Sequence, residues 1–106
     1  QDVYINVAGG MELTEPAADL AVCAAVASSL SNQALAQDLA VMGEVGLAGE
    51  VRAIPQAERR LLECRRLGFI NVVLPRENAK RIRIPEGMKA YGVDTLAQAL
   101  AVILPQ

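Results

Sequence analysis

The sequence predicts a single α/β domain, a sandwich of helices on a mixed β-sheet. The chain has 106 residues, which is enough for one hydrophobic core. Its composition is 53% hydrophobic but only 3% aromatic, so this core must be built from small aliphatic side chains packed between thin layers. Helical and strand-like patterns alternate along the chain, and this order favours some parallel strand pairing.

The first third of the chain predicts a strand followed by a buried helix. Residues 2–8 alternate apolar and polar side chains, which is typical of a half-buried strand, and two glycines end this pattern. A helix is predicted over residues 16–30, with Thr14 as its cap and Pro16 in its first turn, where an N–H has no helical partner. This helix is apolar nearly all round, so we expect it to lie centrally against the sheet.

The middle of the chain predicts a β-hairpin and a second helix. Residues 39–42 are an apolar run typical of a buried strand, and a strand over 51–54 is expected to return from a turn at 47–49. A helix is predicted over residues 55–67, ended by Gly68. The spacing places Ala57, Leu61, Cys64 and Gly68 on its buried face, and Arg59, Glu63 and Arg66 on the opposite face.

The last third predicts two strands and a final helix. Residues 70–74 are an apolar run typical of an interior strand, ended by Pro75. Residues 76–85 are polar and basic, and they predict a loop or helical turn that leads into a short exposed strand. The remaining elements are a strand over 88–93 and a helix through Leu96, Leu100 and Ile103, capped by Asp94 or Thr95 and stopped by Pro105.

The chain contains no histidine, and this absence excludes several catalytic classes. Ser-His-Asp and Cys-His mechanisms both need an imidazole as general base. Without a histidine, Cys23 and Cys64 predict two small buried thiols, with neither a zinc site nor a disulfide framework. No apolar run is long enough to span a bilayer and the chain does not open on a signal-like segment, so we expect a soluble, cytoplasmic protein without a membrane partner.

The formal net charge of −2 conceals a sharp division along the chain. Residues 1–51 hold seven acidic residues and no basic one, whereas residues 52–89 hold all ten basic residues and four acidic ones. This division is typical of like subunits that associate head to tail, or of a basic stripe that binds nucleic acid. The alternative is an ordinary solvated helix face with pairs such as Arg59 and Glu63.

Residues 76–83 form the denser of the two basic clusters, because four positive charges are offset by a single acid, Glu77. Both clusters lack aromatic residues that could stack on bases, so sequence-specific or single-strand recognition is not expected. Salt-dependent contact with the phosphates of duplex DNA is the form of binding that the pattern favours. The candidate DNA-binding residues are Arg59, Arg66, Arg76, Lys80, Arg81 and Arg83.

Two segments carry a resemblance to a known family. Residues 14–19 are Thr-Glu-Pro-Ala-Ala-Asp, and residues 43–52 are Gly-Glu-Val-Gly-Leu-Ala-Gly-Glu-Val-Arg. In order and spacing they resemble the Lon-protease-type domain, a ribosomal-protein domain-2-like fold, and their wording is most similar to the C-terminal domain of the bacterial RadA (Sms) family. The resemblance implies that residues 1–106 are a truncated Lon-like domain from the C-terminal portion of a larger repair ATPase.

The resemblance also implies that the catalytic Ser-Lys dyad of Lon proteases is missing. In those domains a Pro-Ser turn carries the nucleophile, and the helix after the Gly-Glu hairpin carries the lysine. The same register places Ala17 at the serine position and Glu58 at the lysine position. Alanine has no nucleophilic atom and glutamate has the wrong charge to activate one, so we expect no enzymatic activity in this segment.

Similarity to RadA implies a role in recombinational DNA repair. It implies a non-catalytic scaffold that supports hexameric ring assembly and duplex DNA contact during branch migration, within a DNA-dependent ATPase. ATP, Mg and Zn are implied only for other parts of that parent protein, and no cofactor or metal is expected in this segment. The chain itself has no Gly-x-x-x-x-Gly-Lys-Ser/Thr loop and no Cys-x-x-Cys motif.

Two other functions stay open at this point. One is a Lon-like Ser-Lys peptidase with a displaced nucleophile, although neither lysine of the chain follows the hairpin at the spacing that a dyad needs. The other is a partner-binding cleft around Ala17 and Glu58. The candidate nucleophiles, which we expect to serve instead as polar residues at a helix end, are Ser28, Ser29 and Ser31.

Overall fold

The computed structural model describes residues 15–104. The predicted strand over 2–8, the Thr14 cap and the Pro105 stop lie outside these residues. The helical elements are a 3₁₀ turn at Pro16–Ala18 followed by α1 (Asp19–Ser31), α2 (Ala57–Arg66), α3 (Arg76–Arg81) and α4 (Leu96–Ile103). The strands are β1 (Leu39–Val41), β2 (Glu44–Val45), β3 (Val51–Arg52), β4 (Asn71–Pro75) and β5 (Lys89–Val93).

The strands form one parallel sheet and one separate hairpin. Strand β4 lies between β1 and β5 and pairs with both in parallel, with Val73 opposite Val41 and Tyr91. Strands β2 and β3 form the predicted antiparallel hairpin. The α/β class is therefore confirmed, and within residues 15–104 the parallel and antiparallel pairings lie in two sheets.

Helices cover both faces of the parallel sheet, which makes three layers. Alternate strand residues point to opposite faces, so Val41 and Val73 pack with α1 and α4 in one apolar cluster. Ala40, Val72 and Leu74 pack with α2 in the other cluster, where Ala79 of α3 also packs. The β1-to-β4 and β4-to-β5 connections thus place α2 and α3 on the same face.

Small side chains bring α1 close to the sheet. Ala21, Ala24 and Ala25 are buried, and none of them holds the helix away from the strands. The helix ends as predicted, because Asn32 takes the left-handed conformation (φ 59°) that commonly stops a helix. The helix packs against the sheet as expected, but the expected central position is wrong, because α1 is an outer layer in which Val26 is 43% and Leu30 84% exposed.

The segment after β4 differs in part from the prediction. Arg76–Arg81 is helical, with Glu77 in the first turn and basic residues in the last turn, as the helix dipole favours. The prediction that this segment leads into a short exposed strand is wrong, since no strand lies between α3 and β5. Ile82 and Ile84 instead pack against the core from irregular backbone.

Two smaller corrections concern helix ends. Gly68 was expected on the buried face of α2, but it lies exposed beyond the helix with a φ of +97°, where it only terminates the helix. Of the two possible caps for α4, the structure uses Thr95, whose hydroxyl oxygen accepts a hydrogen bond from the Gln98 N–H at 3.1 Å.

The two cysteines lie on opposite sides of the sheet, Cys23 on α1 and Cys64 on α2, and both are free thiols. Cys64 is fully buried, and this burial, with a smaller contribution from Glu63, raises the pKa of its thiol from 9.0 to about 11.

We therefore expect a Cys64-dependent loss of stability at high pH. Above pH 9 the unfolded thiol ionises and the folded thiol does not, so the contribution present below pH 9 is lost as the pH rises toward 11. The loss should reach about 2–3 kcal/mol, at about 1.4 kcal/mol per pKa unit. Urea unfolding at several pH values measures it, and Cys64→Ala should show a smaller slope. Equal slopes in the two proteins would contradict the prediction.

Candidate functional site

The segment around Ala17 is fixed at the entrance of α1. Ala17 is 4% exposed and lies in the 3₁₀ turn that precedes the helix. Its carbonyl accepts a hydrogen bond from the Gly43 N–H at 2.9 Å, and the Gly43 carbonyl accepts one from the Leu20 N–H at 2.9 Å. These two bonds hold the start of α1 against the junction between β1 and β2.

A pocket of about 160 Å³ opens beside Ala17. Its apolar lining consists of Pro16, Ala17, Ile54 and Pro55, and its charged lining consists of Glu15, Glu44 and Arg60. The first three lining residues along the chain lie at the turn before α1. Glu44 begins β2, Ile54 and Pro55 follow β3, and Arg60 lies on α2. The lining includes no serine, threonine, cysteine or lysine among the residues that the structure describes.

Arg60 is the cation of this pocket. Its side chain is only 13% exposed, its Nε donates to the Pro55 carbonyl at 3.0 Å, and its Nη2 lies 3.4 Å from a carboxylate oxygen of Glu15. A guanidinium has N–H donors and no acceptor, so it provides charge and hydrogen bonds but no base.

Glu58 lies outside the pocket lining, in the first turn of α2, and is exposed. The assignment of Ala17 and Glu58 to the dyad positions stays a prediction from the resemblance. Sequence reasoning missed Arg60, two positions further along the same helix. On a helical wheel, residues 58 and 60 flank the buried stripe of α2 on opposite sides, so only one of them can face the pocket.

Asn78 fixes the pocket wall. Its side-chain amide accepts from the Ile54 N–H at 2.9 Å and donates to the Ile54 carbonyl at 3.0 Å. Among residues 15–104, Asn78 is the single buried polar side chain. These two bonds from α3, the Asn78 clamp, hold the segment between β3 and α2 in place. The sequence around Asn78 is basic, and nothing in it predicts that this side chain is buried.

The candidate serine nucleophiles are at the other end of α1. The Ser31 hydroxyl donates to the Ala27 carbonyl at 2.8 Å, and the Ser28 hydroxyl donates to the Gln33 carbonyl. Ser28 lies roughly 16 Å along the helix from Ala17 at 1.5 Å per residue. Lys80 lies on α3, across the sheet from α1. The Ser28 and Ser31 hydroxyls thus bond to backbone carbonyls at the end of α1, as expected of polar residues at a helix end.

The basic residues of α2 are partly engaged with acceptors. Arg66 pairs with Glu63, and this hydrogen bond holds the pKa of the Glu63 carboxyl below its ordinary value. The pair predicted between Arg59 and Glu63 is wrong, because Arg59 instead contacts the Gln56 amide oxygen at 3.5 Å. Arg59 acts on Glu63 only as a nearby charge.

The basic cluster in and after α3 has fewer acidic partners per basic residue than the pair of Arg66 with Glu63 on α2. Lys80 and Arg81 share one carboxylate, Glu77, at 4.0 and 3.4 Å, and both are well exposed. Arg76 pairs with Asp94 at 2.8 Å. Arg83 is exposed and takes part in none of the ion pairs formed within residues 15–104.

The fold sorts these charges by layer. Helices α1 and α4 carry one charged residue between them, Asp19, whereas α2 and α3 carry seven basic residues and three acidic ones. Since α2 and α3 cover the same face of the sheet, the structure brings both predicted basic clusters to one side of the molecule. The division seen along the sequence thus becomes a division in space.

Within residues 15–104, Cys, Asp and Glu side chains form no group of three or more that could hold a metal ion. None of the described helices has the length and apolar character needed to cross a membrane.

Comparison with known proteins identifies the family. The model of the Lon protease (S16) C-terminal proteolytic domain matches residues 1–106. The DNA repair protein RadA of Escherichia coli K12 is 47% identical over 102 residues, which are 96% of this chain and 22% of that protein. RadA of Pseudomonas aeruginosa is 48% identical over 100 residues, 94% of this chain and 22% of the relative. RadA of Streptococcus pyogenes serotype M1 is 42% identical over 103 residues, 97% of this chain and 23% of the relative.

The chain therefore spans about a fifth of the length of the curated relatives that it matches, 22% of the Escherichia coli protein. The resemblance inferred from residues 14–19 and 43–52 is confirmed, both for the domain type and for the relatives in which that domain occurs. By its similarity along residues 1–106, this chain belongs to the family of the Lon protease (S16) C-terminal proteolytic domain, and it is RadA-like within that family.

Proposed function

We propose that this chain is a non-catalytic Lon-like scaffold domain of a RadA-type DNA repair protein. In this proposal it supports assembly of a hexameric ring and contacts duplex DNA during branch migration of recombination intermediates. Its place of action is the cytoplasm, where bacterial DNA is repaired. ATP, Mg and Zn belong to other parts of the parent protein, a DNA-dependent ATPase.

One observation carries the non-catalytic part of the proposal. The pocket beside Ala17 has a lining without hydroxyl, thiol or amine groups among the described residues. A Ser-Lys hydrolase needs an oxygen nucleophile and an amine of lowered pKa within hydrogen-bond reach of each other. The Arg60 guanidinium cannot replace that amine, because a guanidinium has no acceptor atom that could take the proton of a nucleophile.

The charge distribution supports the DNA contact. The α2 and α3 layer carries the basic residues, and the cluster on α3 has one carboxylate, Glu77, for the two side chains Lys80 and Arg81. Arg and Lys on one face attract the phosphates of a duplex without reading its bases. The names of the relatives, which are DNA repair proteins, agree with this role.

The experiment is a titration of a fluorescently labelled DNA duplex with the ring-forming protein that contains this domain, followed by anisotropy over a salt series. We expect binding that weakens steeply with salt, by a slope of about 0.9 in log K per phosphate contact. Light scattering on the same samples measures the ring. Binding that does not change with salt, or rings that bind no duplex, would overturn the DNA part.

A serine-directed fluorophosphonate probe tests the peptidase alternative. We expect no labelling of this chain, and Ser28→Ala, Ser29→Ala and Ser31→Ala variants provide the comparison. Labelling that disappears in one of these variants would identify a displaced nucleophile and overturn the non-catalytic assignment.

A further inference from the structure

The parallel sheet gives the domain two unlike ends. Strands β1, β4 and β5 all begin at one of them, which we call the amino end of the sheet. Helix α2 follows the hairpin and leads to the start of β4, and α3 leads from the end of β4 to the start of β5. Both helices therefore run back along the strands, and the residues in their later halves lie toward the amino end.

Charge is divided between these two ends. Toward the carboxyl end, four basic residues lie among seven acidic ones within residues 15–104. Toward the amino end of the same part of the chain, six basic residues lie among three acidic ones, Asp38, Glu63 and Glu86. The six basic residues are Arg65, Arg66, Lys80, Arg81, Arg83 and Lys89.

Two of these six residues, Arg65 and Lys89, lie outside the basic clusters that the sequence suggested. Both are exposed, and neither takes part in the ion pairs formed among residues 15–104. Two backbone hydrogen bonds connect the regions in which they lie. The Phe69 N–H donates to the Cys64 carbonyl at 3.0 Å, and the Lys89 N–H donates to the Ile70 carbonyl at 2.8 Å. The end of α2 and the start of β5 are therefore held close together.

The carboxylates at this end are mostly engaged already. The Asp38 carboxylate accepts a hydrogen bond from the Asn71 side-chain amide at 3.3 Å, and Glu63 pairs with Arg66. Glu86 lies exposed in the loop before β5. More positive charge than negative charge is therefore available here to an anion.

The Lys89 side chain distinguishes the amino end from the broad face of α2 and α3. Its Nζ lies 5.6 Å from the centroid of the Tyr91 ring, and Tyr91 packs with the apolar cluster of α1 and α4. Lys89 thus extends on the side of the sheet opposite to α2 and α3. A duplex that lay flat on α2 and α3 would not reach Lys89, whereas a duplex that lay across the amino end would contact it together with Arg65 and Arg83.

We propose that DNA lies across the amino end of the sheet, and that Arg65 and Lys89 contact its phosphates. This inference rests on the DNA contact proposed above and gives its location. A duplex carries one negative charge per about 1.7 Å of its axis, so it presents several phosphates to a surface as wide as the end of the domain. Contacts of this kind position the duplex without reading its bases.

Binding of a labelled duplex to the ring-forming protein, measured by anisotropy over a salt series, tests the two residues. Arg65→Ala with Lys89→Ala should weaken binding about 10–100-fold at 50 mM salt and lower the slope of log K against log salt by about 1.8, because two phosphate contacts are lost. Arg65→Lys with Lys89→Arg keeps both charges and should keep the slope.

The matched control is Arg52→Ala with Arg76→Ala. It also removes two exposed arginines, but these lie toward the carboxyl end and each pairs with a carboxylate. We expect the slope to fall by less than about 0.9. Thermal melts accompany both sets, since a basic residue in the last turn of a helix also interacts with the helix dipole. A lower melting temperature with an unchanged slope would assign Arg65 to the helix end and overturn its role in binding.

Lysine labelling gives a second measurement that does not depend on affinity. Lys80 and Lys89 are the two lysines of the chain, and they lie on opposite sides of the sheet. Reductive methylation with and without saturating duplex, followed by mass spectrometry of peptides, should show several-fold protection of both.

The outcomes separate this inference from the proposed function. Protection of Lys80 without protection of Lys89 would place the duplex flat on α2 and α3, and would overturn the proposed location while leaving DNA contact intact. An equal loss of slope in the control pair would overturn the location as well, because cations at either end would then contribute equally. A protein that binds no duplex at low salt would overturn both proposals.

Discussion

Replacement of Asn78 by leucine is expected to cost about 2–5 kcal/mol of folding stability. Leucine has a similar size but cannot hydrogen-bond, so the Ile54 N–H and carbonyl both lose the partner that they have at 2.9 and 3.0 Å. Each buried group left unpaired costs about 1–3 kcal/mol. Since small domains have a total stability of about 5–15 kcal/mol, this substitution removes a large share of it.

Urea unfolding of Asn78→Leu and the unsubstituted protein measures the loss. Lys80→Leu is the matched control, because it adds the same side chain to an exposed position of the same helix and should change stability by about 0.5 kcal/mol or less. Asn78→Asp separates the two hydrogen bonds, since a carboxylate still accepts from the Ile54 N–H but repels the carbonyl. A change below about 0.5 kcal/mol in Asn78→Leu would show that the clamp contributes nothing net.

Much of the fold could be predicted from the sequence, because strong patterns coincided with real layers. The apolar run of β4 is buried on both faces of the sheet, the alanines of α1 are buried against the sheet, and the hairpin follows its glycines. The prediction of a short exposed strand after the basic segment failed, although Ile82 and Ile84 alternate with polar residues as a strand would. Both side chains pack against the core, but the backbone between them pairs with no strand. An alternating apolar pattern shows that every second side chain is buried, but it does not require that the backbone form the hydrogen bonds of a β-sheet.

The candidate site was harder to predict, because its residues meet through tertiary contacts. The turn at Ala17 and the hairpin could be placed together only by their resemblance to a family. The Asn78 clamp bridges 24 positions of sequence, and the contact between Arg60 and Glu15 bridges 45. Neither contact follows from local spacing. The basic clusters could be recognised from the sequence alone. Their position on one face of the domain could not, because it depends on two crossover connections, through α2 and α3, that run on the same side of the sheet.

Removal of the positive charges at Lys80, Arg81 and Arg83 is expected to weaken duplex DNA binding by about 10²–10³-fold at 50 mM salt. Each phosphate contact contributes about 0.9 to the slope of log K against log salt, so loss of three should lower the slope by about 2.7. All three side chains are exposed, Lys80 and Arg81 share one carboxylate, Glu77, and Arg83 takes part in none of the ion pairs within residues 15–104, which leaves them available to phosphates. Anisotropy of the triple alanine variant over a salt series gives both quantities.

Two comparisons make the result specific. Arg59→Ala with Arg66→Ala should weaken binding less, because Arg66 is already paired with Glu63 and Arg59 with the Gln56 amide. Glu77→Gln should strengthen binding several-fold, since it frees two cations from their shared carboxylate while it leaves the helix length and face unchanged. All three variants act at exposed positions and should keep the melting temperature within a few degrees. Unchanged affinity and unchanged salt slope in both alanine sets would remove DNA contact from the role of this domain, and ring assembly alone would then remain.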